Sequence, residues 1–150
     1  MIKKIIMWTI VVLWMSLIFY FSSLNGSEST DQSKGFLYNT IGNIIDIFDK
    51  NMSDIEKDEL INKLDHPIRK IAHESVYFIL AILVCFSLSN YNLDIKKFII
   101  ISFLICFFYS ISDEIHQLFV LGRSGEIKDV IIDSIGSFLG IMIFKRIRYK

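Results

Sequence analysis

Asp129 and Asp133 stand four residues apart at the head of an apolar segment, 130–144, that is too short to cross a membrane without them. A spanning helix needs about 20 residues for a ~30 Å hydrocarbon core. Counted back from Lys145, a full span begins near Gly125, which sets Asp133 roughly 18 Å from the basic tail and well inside a bilayer. An ionisable side chain at that depth costs at least ~2.5 kcal/mol on insertion scales and marks a functional site by default.

Other groups able to do chemistry gather at corresponding positions. Arg69, His73 and Tyr77 follow an i, i+4, i+8 pattern and share one helical face, with Lys70 and Glu74 beside them. Asp113, Glu114, His116 and Gln117 close a third apolar run, and Arg123 lies in the following Gly122-Arg123-Ser124-Gly125 turn. His73 or His116 could serve as a general base, or could join the carboxylates around a divalent metal. No cofactor is otherwise expected. Arg123, with Arg69 or Lys70, suits a phosphate or carboxylate, while His73, Asp113, Glu114 and Gln117 offer hydrogen bonds. Plainer roles compete with each of these: His73 and Asp133 as interhelical hydrogen-bond partners, His116 as a solvated residue. Likewise, Asp129 suits a helix N-terminus as a favourable anion, and Arg123 could be the ion-pair partner of Asp113, Glu114 or Asp129. The chain has no H-E-x-x-H, no G-x-S-x-G and no Cys–His nucleophile pattern, so a binding role is favoured over catalysis.

The elements that must position these residues are helices of a single membrane domain, 1–150. Mean hydropathy is +0.48, with 53% apolar and 14% aromatic residues, too oily for an ordinary soluble chain of this length. Four long apolar runs predict an all-α membrane protein with transmembrane helices at about 3–23, 70–89, 98–117 and 127–145. The third run has only the uncharged stretch 98–112, about 22 Å of helix, so Asp113 to Gln117 must continue it to the surface. Gly136-x-x-x-Gly140 lies on the Asp129–Asp133 stripe and predicts close approach of another helix. Cys85 and Cys106 fall mid-segment and read as buried free thiols.

Charge sets the orientation. Lys3, Lys4, Lys96, Lys97, Lys145, Arg146, Arg148 and Lys150 share one side with a single acid, Asp94, leaving the other side with fifteen of the sixteen acidic residues. Short Lys/Arg-rich loops stay in the cytoplasm. Both termini are therefore expected on the cytoplasmic side of a cell membrane, with the loop 24–69 outside. Phe36, Leu37, Ile41, Ile44, Ile45 and Phe48 predict an interfacial amphipathic helix in that loop. Ser53-Asp54-Ile55-Glu56 reads as a capping box opening a second short helix to about Leu64, with a turn at His66-Pro67. A net charge of zero argues against a nucleic-acid partner; membrane lipids are the expected surroundings, and oligomeric state is left open.

The order of motifs adds a resemblance. Phe21-Ser22-Ser23 ends the first run, and Lys70-Ile71-Ala72-His73 with Tyr77 opens the second. Asp113-Glu114-Ile115-His116-Gln117-Leu118-Phe119 closes the third, and Gly122-Arg123-Ser124-Gly125 precedes Asp129, Asp133, Gly136 and Gly140. Over essentially its whole length the chain resembles the VanZ-like family, small bacterial membrane proteins named for one linked to teicoplanin resistance. Leu24 stands where the family often has glutamine, and Leu121 where it often has proline. The resemblance implies a multi-pass membrane protein associated in some members with glycopeptide resistance, and no settled biochemical activity. A cell-wall precursor or a glycopeptide is the ligand class it suggests.

In a background lacking both native cysteines, Asn51→Cys and Ser124→Cys are expected to react with an impermeant thiol reagent on intact cells, and Asn92→Cys to stay unlabelled. Labelling at position 92 alone would reverse the orientation.

Overall fold

A computed structural model describes residues 1–25, 35–36, 39–40 and 53–148, without the side chains of Asp54, His66, Arg69, Lys70 and His73. The described residues form four long helices and no strand: α1 (Ile2–Ser22), α2 (Asp54–Leu88), α3 (Ile95–Gln117) and α4 (Ile127–Arg148). Most of the amphipathic helix expected around Phe36–Phe48 falls outside the described residues.

Cross-helix contacts give the direction of each element. Trp8 Nε1 donates to Tyr91 Oη at 3.2 Å, and Trp14 Nε1 donates to the Val76 carbonyl at 3.1 Å, so α1 runs antiparallel to α2. Tyr109 Oη donates to the Met15 carbonyl, and His116 stacks on Phe19, so α1 and α3 run parallel. Phe98 stacks on Phe144, while Ser110 meets Asp133, so α4 returns antiparallel to α3. The result is an up-down-up-down bundle. The N-terminus, the 89–94 connection and the C-terminal end meet at one end, where Lys4 lies over the Tyr91 ring and Arg148 donates to the Ser89 carbonyl.

Helix starts follow local chemistry. Asp94 caps α3 by accepting from the Lys97 backbone N–H at 2.9 Å, and that bond holds its carboxyl below the usual range. The expected capping box is present at Ser53 and Glu56, and the Ser53 backbone N–H likewise lowers the Glu56 carboxyl. Each cap is complete above the ordinary carboxylate range and is lost as pH falls through the depressed value.

One boundary differs from expectation. No turn forms at His66-Pro67, and the predicted short helix and second span are one 35-residue helix with Pro67 inside it. A proline removes one N–H from the helical ladder. Here the turns before it are capped at Ser53 and anchored by buried Ile61 and Asp65, which keeps the helix continuous.

The length and apolarity needed to cross a membrane are met by two of the four helices, α1 and α3. The apolar part of α2, Glu74–Leu88, is shorter because its first half is charged, and the opening of α4 carries Lys128, Asp129 and Asp133. Within its apolar window α1 buries only 17% of its residues, whereas the core helix of a soluble protein is mostly buried. Leu13, Leu17, Leu104, Phe108, Phe138 and Ile143 all point outward.

The tightest contact joins α2 and α4. A Cβ added at Gly136 would lie 2.5 Å from the Glu74 carbonyl oxygen, and one at Gly140 would lie 2.6 Å from that of Phe78. These glycines let the α4 backbone rest on α2, which presses Asp133 into the bundle. Alanine is the better helix former, yet Gly136→Ala and Gly140→Ala are each expected to destabilise the protein by about 1–3 kcal/mol through overpacking. A lowered unfolding midpoint in detergent checks this; unchanged midpoints would refute the close packing.

Candidate functional site

A polar stripe runs down α3: Ser110, Asp113, Glu114 and Gln117 recur at i, i+3, i+4 and i+7 and are all buried, as is Asp133 on the facing side of α4. They form two layers at the end of the bundle away from the chain termini.

The outer layer centres on Glu114. Its Oε1 accepts from Gln117 Nε2 at 3.2 Å and its Oε2 from the Glu126 backbone N–H at 2.9 Å, which fastens the α3–α4 turn to α3. Gln117 Nε2 also donates to Asp113 Oδ2 at 3.3 Å. Asp129, half-buried in the first turn of α4, lies within electrostatic reach of both Glu114 and Asp133. Gly122 turns the chain with a φ of 74°, a conformation open to glycine. Gly125 is equally constrained, because a Cβ there would sit 2.5 Å from the Glu114 carbonyl oxygen.

Arg123 reaches across to α1. Its Nε donates to the Leu24 carbonyl at 3.0 Å, its Nη2 to the Phe21 carbonyl at 3.1 Å, and its Nη1 to Gln117 Oε1 at 3.5 Å. A guanidinium is well suited to these last carbonyls of a helix, which carry partial negative charge. Its charge also acts on Glu114. His116 belongs to the same strap: its Nε2 and Ser23 Oγ are 3.0 Å apart, and its ring stacks on Phe19 with centroids 4.1 Å apart. Arg123 and His116 thus tie the end of α1 to the end of α3.

The inner layer is one turn deeper. Ser110 Oγ donates to Asp133 Oδ2 at 3.0 Å, while Asp133 Oδ1, Asp113 Oδ1 and Tyr77 Oη are buried with no hydrogen-bond partner. Tyr77 is 0% exposed, Asp133 1% and Asp113 2%, and the three interact electrostatically. Glu74 backs onto Gly136 at the same level.

The expected residues are therefore divided among three places. Tyr77, Asp113, Glu114, Gln117, Asp129 and Asp133 come together, Arg123 and His116 clamp α1, and Gly136 and Gly140 seat α4 on α2. Arg69, Lys70 and His73 lie on helical backbone of α2, but their side chains lie outside the described residues. Among the described residues no three His, Cys, Asp or Glu side chains are placed to hold a metal ion. Sequence reasoning missed Ser110, although its i+3 spacing to Asp113 was a usable signal; it also missed Ser23 and the carbonyls of Phe21 and Leu24, for which side-chain type gives no signal.

Four helices packed around buried carboxylates define a small all-helical protein, two of whose helices are long and apolar enough to cross a membrane. The VanZ/LLP1 family model matches residues 7–148, nearly the whole chain, and the chain belongs to that family. No curated protein and no solved structure matches it.

Arg123→Lys keeps the charge but loses the planar fork that serves two carbonyls and Gln117. The expected cost is about 1–3 kcal/mol of stability, with faster proteolysis near Leu24. Wild-type stability and cleavage in this variant would show that the strap carries no load.

Proposed function

We propose that the chain is a four-span membrane protein, with both termini in the cytoplasm and the polar layers at its extracytoplasmic end. There it binds an envelope or glycopeptide-related ligand and thereby alters susceptibility to teicoplanin-type antibiotics. The observation that carries this reading is the convergence of Asp113, Glu114, Gln117 and Asp133, all buried, at one end of two neighbouring helices. Packing alone does not call for four such residues at one end of a bundle, since apolar groups fill it at lower cost.

Membership of the VanZ/LLP1 family supports the glycopeptide connection, and the outward-facing apolar side chains support a lipid setting. The chain's charge bias supports the orientation: Lys3, Lys4, Lys96, Lys97 and the basic tail all fall at the end opposite the cluster.

The chemistry favours a ligand rich in N–H donors. Three carboxylates and the Gln117 carbonyl present acceptors, while the Arg123 fork is directed to α1. The peptide N–H and ammonium groups of a glycopeptide or a wall-precursor stem are complementary to such a surface. Glu114, Gln117 and Asp129 would meet the ligand first, with Arg69, Lys70, His73 and Glu74 as further candidates on α2. The ligand would then be sequestered or altered in access rather than transformed.

A second reading, a membrane enzyme acting on a lipid-linked envelope substrate, draws on one feature. A groove of about 430 Å³ between α3 and α4 is lined by Phe107, Ile111, Ile115, Leu118 and Val130, with Glu114 and Glu126 at its edge. An acyl or prenyl chain fits such a lining. His73 or His116 would then be the general base, or a metal ligand with the carboxylates.

Graded against abrupt loss separates the two. Removing one hydrogen-bonding partner from a binding site costs about 1–3 kcal/mol, roughly five- to 150-fold in affinity. His73→Gln is expected to lose part of the susceptibility effect, and His116→Gln little. Asp133→Asn is expected to lose most of it while membrane levels persist. Complete loss in either histidine variant, with envelope-precursor composition reverting to that of a deletion strain, would favour the enzyme.

A further inference from the structure

The end of the bundle opposite the polar layers holds a second set of groups, which ligand binding at those layers does not use. Trp8 Nε1 donates to Tyr91 Oη at 3.2 Å, and Lys4 Nζ lies 4.1 Å from the centroid of the same ring. Lys4 and Trp8 are four residues apart, so one face of α1 carries both to Tyr91 in the 89–94 connection. The ring holds the Lys4 ammonium in place without neutralising it. Among the described residues Lys4 forms no ion pair, and Asp94, the acid at this end, pairs with Lys97 at 3.5 Å. α1 also starts with no capping side chain and no acid in its first turn, so its N-terminal partial charge adds to that of Lys4.

Beside these groups a groove of about 440 Å³ follows α1, lined chiefly by Lys4, Ile5, Trp8, Val12, Leu13 and Tyr91. The polar atoms of Lys4, Trp8 and Tyr91 gather at one end of it. Val12 and Leu13, both exposed, continue it two turns further along the helix. The lining thus passes from cationic to apolar over about 12 Å.

We propose that this groove binds an anionic glycerophospholipid, with Lys4 against the phosphate and one acyl chain over Ile5, Val12 and Leu13. The site rests on the membrane reading proposed above and is independent of the ligand at the other end. An inorganic phosphate would leave the apolar half of the groove uncovered, and a plain hydrocarbon would leave Lys4 without a counter-charge. A phosphate carrying acyl chains matches both ends at once. Charge selects an anionic headgroup over a zwitterionic one, because Lys3, Lys96, Lys97, Lys145, Arg146 and Arg148 stand at this end against one acid, Asp94. A headgroup with its own ammonium would add a further cation to that set. Trp8 and Tyr91 suit the depth of the site, since a ring with a polar tip favours the boundary between headgroups and chains.

The test places the full-length protein in vesicles of phosphatidylglycerol and phosphatidylcholine in equal parts. Trp14→Phe is present throughout, which leaves Trp8 as the sole tryptophan. Bromine on the acyl chains of one lipid or the other quenches a tryptophan that those chains touch, while the overall composition stays the same. Brominated phosphatidylglycerol is expected to quench Trp8 more strongly, with about fivefold preferential occupancy for one cation–phosphate contact. Lys4→Gln is expected to make the two labels equivalent, whereas Lys4→Arg and Lys3→Gln keep the preference. Equal quenching by the two labels with Lys4 intact would overturn the site. A loss in Lys3→Gln as complete as in Lys4→Gln would trace the preference to diffuse surface charge and overturn it too. Abolition of the preference by soluble glycerol phosphate would assign Lys4 to free phosphate and overturn the lipid assignment. Exclusion of the protein from the vesicles would overturn the membrane reading and this site together; incorporation with equal quenching would overturn the site alone.

Discussion

Two carboxylates enclosed by apolar helices set the terms for this structure. Asp113 and Asp133 lie where transfer from water is most costly, and each meets that cost with one neighbouring donor, Gln117 or Ser110. The arrangement demands that α3 and α4 stay in register. A rotation of either helix would expose a carboxylate to the apolar surroundings, or would separate Ser110 from Asp133. The glycines of α4, on the same stripe as Asp133, secure that register, since Gly136 and Gly140 admit the carbonyls of Glu74 and Phe78 at distances no side chain would allow. Close packing further along that stripe of α4 thus serves the polar contact at its head.

The strap at the end of α1 solves a separate problem. α1 turns most of its apolar surface outward and touches the bundle along a narrow line, through Trp14, Met15 and Phe19. Arg123 and His116 compensate at its end, binding the Phe21 and Leu24 carbonyls and Ser23. Because Arg123 also reaches Gln117, and Gln117 holds Glu114 and Asp113, the tether of α1 and the polar layers form one hydrogen-bonded chain. Ligand contact at Glu114 or Gln117 would therefore be felt at α1.

Much of this was legible in the sequence, in unequal measure. The 3.6-residue recurrence of Asp113, Gln117, Asp129 and Asp133 placed them on helix faces, and Gly136-x-x-x-Gly140 named the packing surface. Capping chemistry at Ser53 and Glu56 was also readable, because it is local. What escaped was mostly nonlocal or backbone. Arg123 read as an ion-pair partner of Asp113, Glu114 or Asp129, or as an anion-binding residue, since side-chain type reveals nothing of carbonyls a hundred positions away. Pro67 suggested a turn, since its local preference competes with anchoring by Ile61 and Asp65 that only the fold reveals. A count of four spans came from apolar runs, yet the charge in α2 and α4 leaves α1 and α3 as the helices that qualify by length and composition.

Membership of the VanZ/LLP1 family and a buried acidic cluster together support the proposal that acceptors at one end of α3 and α4 bind a glycopeptide-related ligand. The most direct measurement is equilibrium binding of teicoplanin to the purified protein in lipid nanodiscs, for wild type and for Gln117→Leu. The account predicts saturable binding that weakens at least fivefold in the variant. Binding no stronger than to protein-free nanodiscs, or equal binding by both proteins, would contradict it.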